Sequence, residues 1–373
     1  MKKKKKILIL SHTFVKKINL SLPIALSKKE KIDVLCVSPK KILQNNKIIY
    51  PDYKRNSIGV KIIYLDLKNK SIRTQYFKNF KEIIEKEKPN IIFLDNDTVC
   101  IQSLILIFWS FFYNFKIYYF CNENNLKNIF KFFTLKKSVK LLIIYLCNFF
   151  LKFRIDKVFC YTKQIKENYD FLGYKNKTKI IPLGFDENIF FNKKKKIKSQ
   201  VTISYFGRII PEKGIHVLIE ALKLIKNYSW IFMIDVEHIE DKRYFKKLKI
   251  NLKNNFKKSK YRFIKCNHNE VAKFMRLSDI LVLPSVYEEQ YGRVIQEAIA
   301  CGNVAIGSKI GAIPEIIKDK KLLFEPNNHI SLSLILKSLF NKGYYMKKLK
   351  LQKKEIFFSR SIKKQSKLIL KNI

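Results

Sequence analysis

Acidic residues are scarce in this chain of 373 residues, where 30 Asp and Glu stand against 76 Lys and Arg, a formal charge of +46. Such an imbalance invites a nucleic-acid or membrane partner, because a cationic surface raises affinity for any polyanion. The lysines are nevertheless spread along the whole chain beside abundant Ile, Asn and Phe, as a bias in base composition produces. A dedicated polyanion binder gathers its cations on one face with aromatic platforms between them. Arginine, the residue best suited to such binding, occurs only nine times, so no specific nucleic-acid partner is expected. Seven cysteines form no C-x-x-C pair and no regular spacing, which excludes a disulfide scaffold and points to a reducing compartment. No His/Cys cluster has metal-ligand spacing, so no structural metal is expected.

Long apolar runs are also missing. The longest tract, Ile101–Phe115, contains Gln102, Ser103, Ser110 and Asn114, and it is shorter than the ~20 residues a membrane span requires. Leu141–Phe153 is shorter still. Both read as buried helices, with a helix lying in the plane of a bilayer surface as the alternative. Met1–Leu10 begins like a signal peptide, but its apolar run is only Ile7–Leu10 and no small-residue cleavage site follows. A first parallel strand fits it better.

What is present suffices for two domains with substantial cores: a hydrophobic fraction of 47 % and an aromatic fraction of 14 % exclude a disordered chain. Near-continuous apolar strands alternate with longer amphipathic segments, the pattern of parallel sheets covered on both faces. In the first half the strands are expected at Lys6–Leu10, Ile32–Val37, Ile58–Leu65, Ile91–Leu94, Ile117–Phe120, Lys157–Tyr161 and Lys179–Pro182. A second series starts at Val201 and continues near Trp230, Arg262, Ile280, Val304 and Leu322, after a lysine run (Lys193–Lys196 with Lys198) that reads as a solvated linker. The expected division is 1–190, 191–355 and a basic amphipathic helix over 356–373.

Two segments carry the chemistry. Tyr287–Gly302, YEEQYGRVIQEAIACG, follows the strand Ile280–Leu283 and places Glu289 and Glu297 eight positions apart around Gly292, before and inside a helix. A strand's carboxyl end feeding a helix N-terminus is where open α/β sheets bind ligands, because free N–H groups and the helix dipole point there. Eight residues of continuous helix span about 12 Å, which suits two ends of one elongated ligand. Upstream, Val201–Phe206 leads into Gly207-Arg208 and Ile209–Gly214, then a helix with Ile215, Leu218, Ile219, Leu222 and Ile225 on one side. Arg208 and Lys213 thus sit at the mouth of the sheet, two cations suited to a diphosphate. For Lys213 the plainer reading is one more solvated lysine.

FGRIIPEKG (206–214), EEQYGRVIQEAIACG (288–302) and GAIPEII (311–317) together resemble the signature of the retaining nucleotide-sugar glycosyltransferases of family 4. The likeness is weaker in LSHTF (10–14) and IIPLGFDENIF (180–190). It implies the GT-B architecture, an α/β fold of two Rossmann-like domains with parallel sheets facing across a cleft, the last helix crossing back to the first domain. It implies that Gly207, Arg208 and Lys213 hold the donor diphosphate and that Glu297 accepts from the ribose hydroxyls. Glu289 would face the transferred sugar beside the backbone of Gln290, Tyr291 and Gly292, with Arg293 opening the helix. The implied catalytic set is Glu289, Arg208 and Lys213. No cofactor and no metal are implied beyond a nucleotide-diphosphate sugar as donor substrate. Three departures from the family pattern stand out: Val304 where proline is frequent, Val236-Glu237 in place of a glycine-rich turn, and no paired glycines after the first strand.

The implied activity is a metal-independent, hexosyltransferase-like transfer to a glycan or lipid-linked acceptor, in cell-surface polysaccharide or lipopolysaccharide synthesis. The enzyme would be cytoplasmic, with peripheral contact to an anionic membrane. Two alternatives remain: a nucleotide-sugar 2-epimerase of the same fold, and a non-enzymatic polyanion binder. At the strand ends of the first half lie His12, Asp95-Asn96-Asp97 and Asn122-Glu123-Asn124. His12 reads equally as a turn residue or a ligand-facing group, and at least one residue of Asp95–Asp97 is expected to cap a helix.

Overall fold

The computed structural model describes residues 4–44, 47–54, 59–69, 71, 73–121, 144, 146–192, 200–267 and 270–373. Asn122–Asn124, the lysine run 193–198 and part of the 141–153 tract lie outside these residues. The chain divides into two compact units, one of Met1–Gly184 with Gln365–Ile373, the other of Phe185–Lys364.

In the first unit the strands are β1 (Lys5–Leu10), β2 (Ile32–Pro39), β3 (Ile42–Gln44), β4 (Lys47–Ile49), β5 (Lys61–Leu65), β6 (Leu67–Lys68), β7 (Tyr76–Phe77), β8 (Ile91–Asp95), β9 (Lys116–Cys121), β10 (Lys157–Cys160) and β11 (Thr178–Ile180). Seven of them form one sheet in the order β11-β10-β9-β8-β1-β2-β5. All its pairings are parallel, with Leu10 opposite both Leu94 and Val37. Every strand expected from an apolar run has a counterpart in this sheet. Ile7, Leu8, Leu10, Ile92 and Phe93 are fully buried, as strands covered on both faces must be. The antiparallel pairs β3/β4 and β6/β7 lie outside the sheet and were not expected.

The second unit holds β12 (Val201–Tyr205), β13 (Trp230–Asp235), β14 (Tyr261–Ile264), β15 (Ile280–Leu283), β16 (Val304–Ser308) and β17 (Leu323–Phe324), a parallel sheet ordered β14-β13-β12-β15-β16-β17. Its centre is fully buried at Ile203, Phe232, Val282 and Ile306. The chain runs outward from β12 to β14 and then returns to β15 on the other side of β12. The strand order therefore reverses between β12 and β15, the point at which doubly wound sheets take their ligands. Both parallel sheets, flanked by helices, are Rossmann-like.

Three expectations are corrected. The tract from Ile101 is helical only to Trp109, and only one side of it is buried: Gln102, Ser103 and Leu106 are inside, whereas Leu104, Phe108, Phe111 and Phe112 are exposed. Phe149, Phe150 and Phe153 of the second tract are exposed as well. The helix expected over 356–373 is two, Lys342–Ser359 and Ile362–Lys371, parted at Arg360. The break has a physical cause: buried Arg360 donates to Tyr291 Oη (2.7 Å) and to the Glu315 carbonyl (2.6 Å), while its own carbonyl accepts from the Phe185 amide (2.9 Å). Among the described residues, no helix is long and apolar enough to cross a membrane.

Candidate functional site

The loops at the reversal point bring Lys213 and Glu289 together, whereas Arg208 pairs with Glu240 and Glu297 with Arg293. After β12 the chain passes Gly207 and Arg208, forms one 3-10 turn (Pro211–Lys213), and enters the helix Ile215–Lys223 through Gly214. Pro211 thus opens the short turn rather than the helix. Gly214 has φ +65°, and a Cβ there would lie 1.9 Å from the Pro284 carbonyl oxygen, so the loops after β12 and β15 touch at a place only glycine fits. The Val286 amide donating to the Glu212 carbonyl (2.9 Å) fastens them.

This contact sets Lys213 against Glu289. The ammonium lies 2.5 Å from Glu289 Oε2, and Ser285 Oγ donates to the same oxygen at 3.0 Å. Both charged side chains are only about one-sixth exposed, at 16 and 15 %. A third loop holds the acid from behind. The Ala312 amide donates to the Glu289 carbonyl (2.9 Å), and a Cβ on Gly311 would come within 2.6 Å of the Glu289 amide nitrogen. Ser308 Oγ, at the end of β16, donates to the Ser285 carbonyl (2.6 Å). Three strand ends therefore fix one carboxylate and one ammonium.

Arg208 stands on the neighbouring loop, half exposed, with Nη1 3.0 Å from Glu240 Oε2. The loop is anchored by buried Tyr205, whose hydroxyl donates to the Arg208 carbonyl (2.6 Å) and which lies within electrostatic reach of both Glu289 and Arg208. Parallel pairing of Ile209 with Ile239 brings Glu240 alongside. The segment Val236-Glu237 after β13 leads into this pairing.

Gly292, at φ +73°, begins the helix Arg293–Ala300 without a side-chain cap, and its Cβ position is 3.5 Å from Glu289 Cγ. Glu289 is thus in the loop and Glu297 one turn into the helix, the order expected from the sequence, and the span of a continuous helix does not apply between them. Glu297 is buried and 3.1 Å from Arg293 Nε. Burial pushes its carboxyl up to about 7, although the guanidinium pulls the other way. Tyr291 turns its ring inward, its hydroxyl accepting from Arg360 and donating to Gln296 Oε1 (3.2 Å), so at this position only the backbone faces the loop.

Sequence reasoning missed Ser285 and Glu240. Ser285 was visible as the residue ending a strand, but nothing local marks it as a partner of Glu289. Glu240 lies 32 positions from Arg208 and carries no sequence signal at all.

In the first unit, His12 opens a 3-10 turn after β1, and the N-cap is Ser11, whose Oγ accepts from the Thr13 amide and donates to Asp95 Oδ2 at 2.7 Å. The adjacent ends of β1 and β8 thereby join His12 and Asp95. Burial lowers the His12 imidazole below its ordinary value, against the opposing pull of Asp95. The expected helix cap at Asp95–Asp97 is not formed. The next helix starts at Ile101 behind Cys100, too far along, and Asn96 Oδ1 instead accepts from the Asp97 amide (2.8 Å). Ser11, His12, Asp95 and Asn96 line a cavity of about 20 Å³, room for one water, beside the buried and unpartnered Gln102 Nε2. An open groove of about 860 Å³ adjoins it, lined by Lys41, Ile42, Leu43, Asn69, Thr74 and Gln75 among others.

Comparison with known proteins fits this geometry. Residues 186–356 match the family glycosyl transferases group 1. An uncharacterised glycosyltransferase of Methanocaldococcus jannaschii is 32 % identical over 190 residues, half of each chain. A lipopolysaccharide 1,2-N-acetylglucosaminetransferase of Salmonella typhimurium is 26 % identical over 38 % of this chain and 40 % of its own. The chain thus spans at most half the length of these curated relatives. Among solved structures, Anabaena HepE in complex with UDP and glucose superimposes with a TM-score of 0.73 over 99 % of both chains at 15 % identity, a likeness of fold. The fold is GT-B, two Rossmann-like α/β domains, and the match to the glycosyl transferases group 1 model lies within the second unit.

Proposed function

We propose that this chain is a retaining glycosyltransferase that moves a sugar from a nucleotide-diphosphate donor to a glycan or lipid-linked acceptor. The observation that carries the reading is the largely buried Lys213–Glu289–Ser285 cluster at the strand-order reversal, with Arg208 on the adjoining loop. In such a transfer the bond from the anomeric carbon to the leaving phosphate oxygen breaks, and the diphosphate departs with the electron pair. The acceptor oxygen bonds to the same face of the sugar, and its proton passes to the departing phosphate. Negative charge grows on the phosphates while positive charge grows on the ring. Arg208 and Lys213 stabilise the first, aided by the N–H groups that begin the helix at Arg293. Glu289, fixed by Ser285, stabilises the second, and Glu297 receives the ribose hydroxyls.

These cations supply the charge that a metal provides elsewhere, and the proposed transfer is metal-independent. Support for a lipopolysaccharide or polysaccharide role comes from the Salmonella relative's own activity. An acceptor of that kind suits the open groove of the first unit, with polar Lys41, Asn69 and Thr74 beside apolar Ile42 and Leu43. The reaction is placed on the cytoplasmic side, at the surface of an anionic membrane. The test is incubation with UDP-, GDP- and ADP-sugars, with and without an acceptor glycan. Acceptor-dependent loss of donor supports transfer, whereas a second nucleotide sugar formed without acceptor identifies an epimerase.

A further inference from the structure

Two groups of aromatic rings stand in solvent on the first unit. Phe108, Phe111 and Phe112 come from the helix Ile101–Trp109 and the turn after it. Phe149, Phe150 and Phe153 come from the helical stretch 146–151 and the turn that follows. Phe112, Phe150 and Phe153 keep 66, 69 and 69 % of their surface in water among the described residues. The rings touch within each group, Phe108 to Phe112 at 5.3 Å and Phe149 to Phe153 at 6.0 Å between centroids. Arg154 joins the groups, its guanidinium 3.9 Å from the centre of the Phe111 ring. Lys152 lies 4.2 Å from Phe149 and 5.5 Å from Phe153.

A contiguous exposed apolar patch marks a docking surface, and charge decides what docks. Neither 101–121 nor 146–155, the described stretches that carry the rings, contains an acid, and Lys152 and Arg154 lie against the rings. Protein interfaces are depleted in lysine. Aromatic rings with cationic ends lying over their faces suit the boundary between acyl chains and anionic headgroups. We propose that this patch seats the first unit on the surface of an anionic lipid bilayer, the six phenylalanines entering the outer part of one leaflet and Lys152 and Arg154 meeting the headgroups. The inference rests on the proposed membrane-side reaction for its role. Vesicle binding is measured without donor or acceptor, so the two stand or fall separately.

The test uses the full chain and sedimentation with phosphatidylcholine vesicles, with and without phosphatidylglycerol. Wild type is expected to bind the phosphatidylglycerol vesicles and to retain part of that binding in high salt, where the diffuse lysine charge is screened. Phe112→Ser/Phe150→Ser/Phe153→Ser should keep the wild-type melting temperature, bind at least about tenfold more weakly and detach in high salt. If the serine variant does not fold, Phe150→Trp provides a second readout, its emission quenched by lipids brominated on the acyl chains. Equal binding by the triple variant and wild type, no binding by wild type, or no quenching at position 150 each overturns the proposal. So does a wild-type dimer that the triple variant dissociates without loss of vesicle affinity, which would make the patch a contact between two copies.

Discussion

Lys213 and Glu289, 76 positions apart, meet at 2.5 Å on the loops after β12 and β15, and Ser285 holds the acid in place from within its own loop. The pair explains how one lysine among so many is set apart, since its side chain is only 16 % exposed. Lys213→Ala is expected to lower kcat/KM for transfer at least tenfold, about 1.4 kcal/mol of barrier, and to weaken nucleotide-sugar binding. Glu289→Gln should separate the two roles. It removes the charge that competes with a diphosphate for the ammonium, so donor affinity holds or rises while kcat falls. Steady-state kinetics beside calorimetry measure both, and loss of donor affinity in Glu289→Gln would speak against the assignment.

Arg208 occupies the opposite situation. Its pairing with Glu240 is half exposed, and pairs of that kind contribute only about 0–1 kcal/mol. A diphosphate therefore displaces Glu240 at little cost. Arg208→Ala should melt like wild type yet lose at least about tenfold in turnover. Glu240→Gln should bind donor more tightly than wild type. Unchanged donor affinity in both variants would remove Arg208 from the phosphate site.

Glu297 makes the site sensitive to pH. Its folded value of about 7 lies above its ordinary one, so the stability linked to it is complete below the unfolded value and is lost as pH rises through about 7. Glu297→Gln is accordingly expected to melt higher than wild type at pH 8 and alike at pH 5. Ribose hydroxyls donate best to the ionised carboxylate. Affinity for a nucleotide sugar should rise from pH 6 to pH 8 in wild type and stay low and flat in Glu297→Gln. Calorimetry across that range checks this, and the same slope in both proteins would exclude the ribose role.

The strands of both sheets were legible because a strand buried on both faces needs an uninterrupted apolar run, and ILIL at 7–10 or ILVL at 280–283 has no other use for one. β3, β4, β6 and β7 were not, since two or three residues leave no periodicity. Arg208, Lys213 and Glu289 were legible as charges in the loops after strands, and Glu297 as an acid inside the helix that follows. Their partners were not, because Glu240 reaches Arg208 only through the pairing of Ile209 with Ile239. The break at Arg360 was hidden for a related reason: its cause is a buried guanidinium bonded to Tyr291 and Glu315, which no local pattern records. The aromatic tracts misled because hydrophobicity reports affinity for an apolar environment without saying whether the protein supplies it.

The measurement closest to the central claim is the binding of UDP-, GDP- and ADP-sugars to wild type and to Arg208→Ala/Lys213→Ala, followed by thermal shift and calorimetry. One donor class is expected to raise the wild-type melting temperature in proportion to its occupancy, with the shift lost in the double variant although its unliganded melting is retained. Equal stabilisation of both proteins by the same donor would contradict a diphosphate site at Arg208 and Lys213.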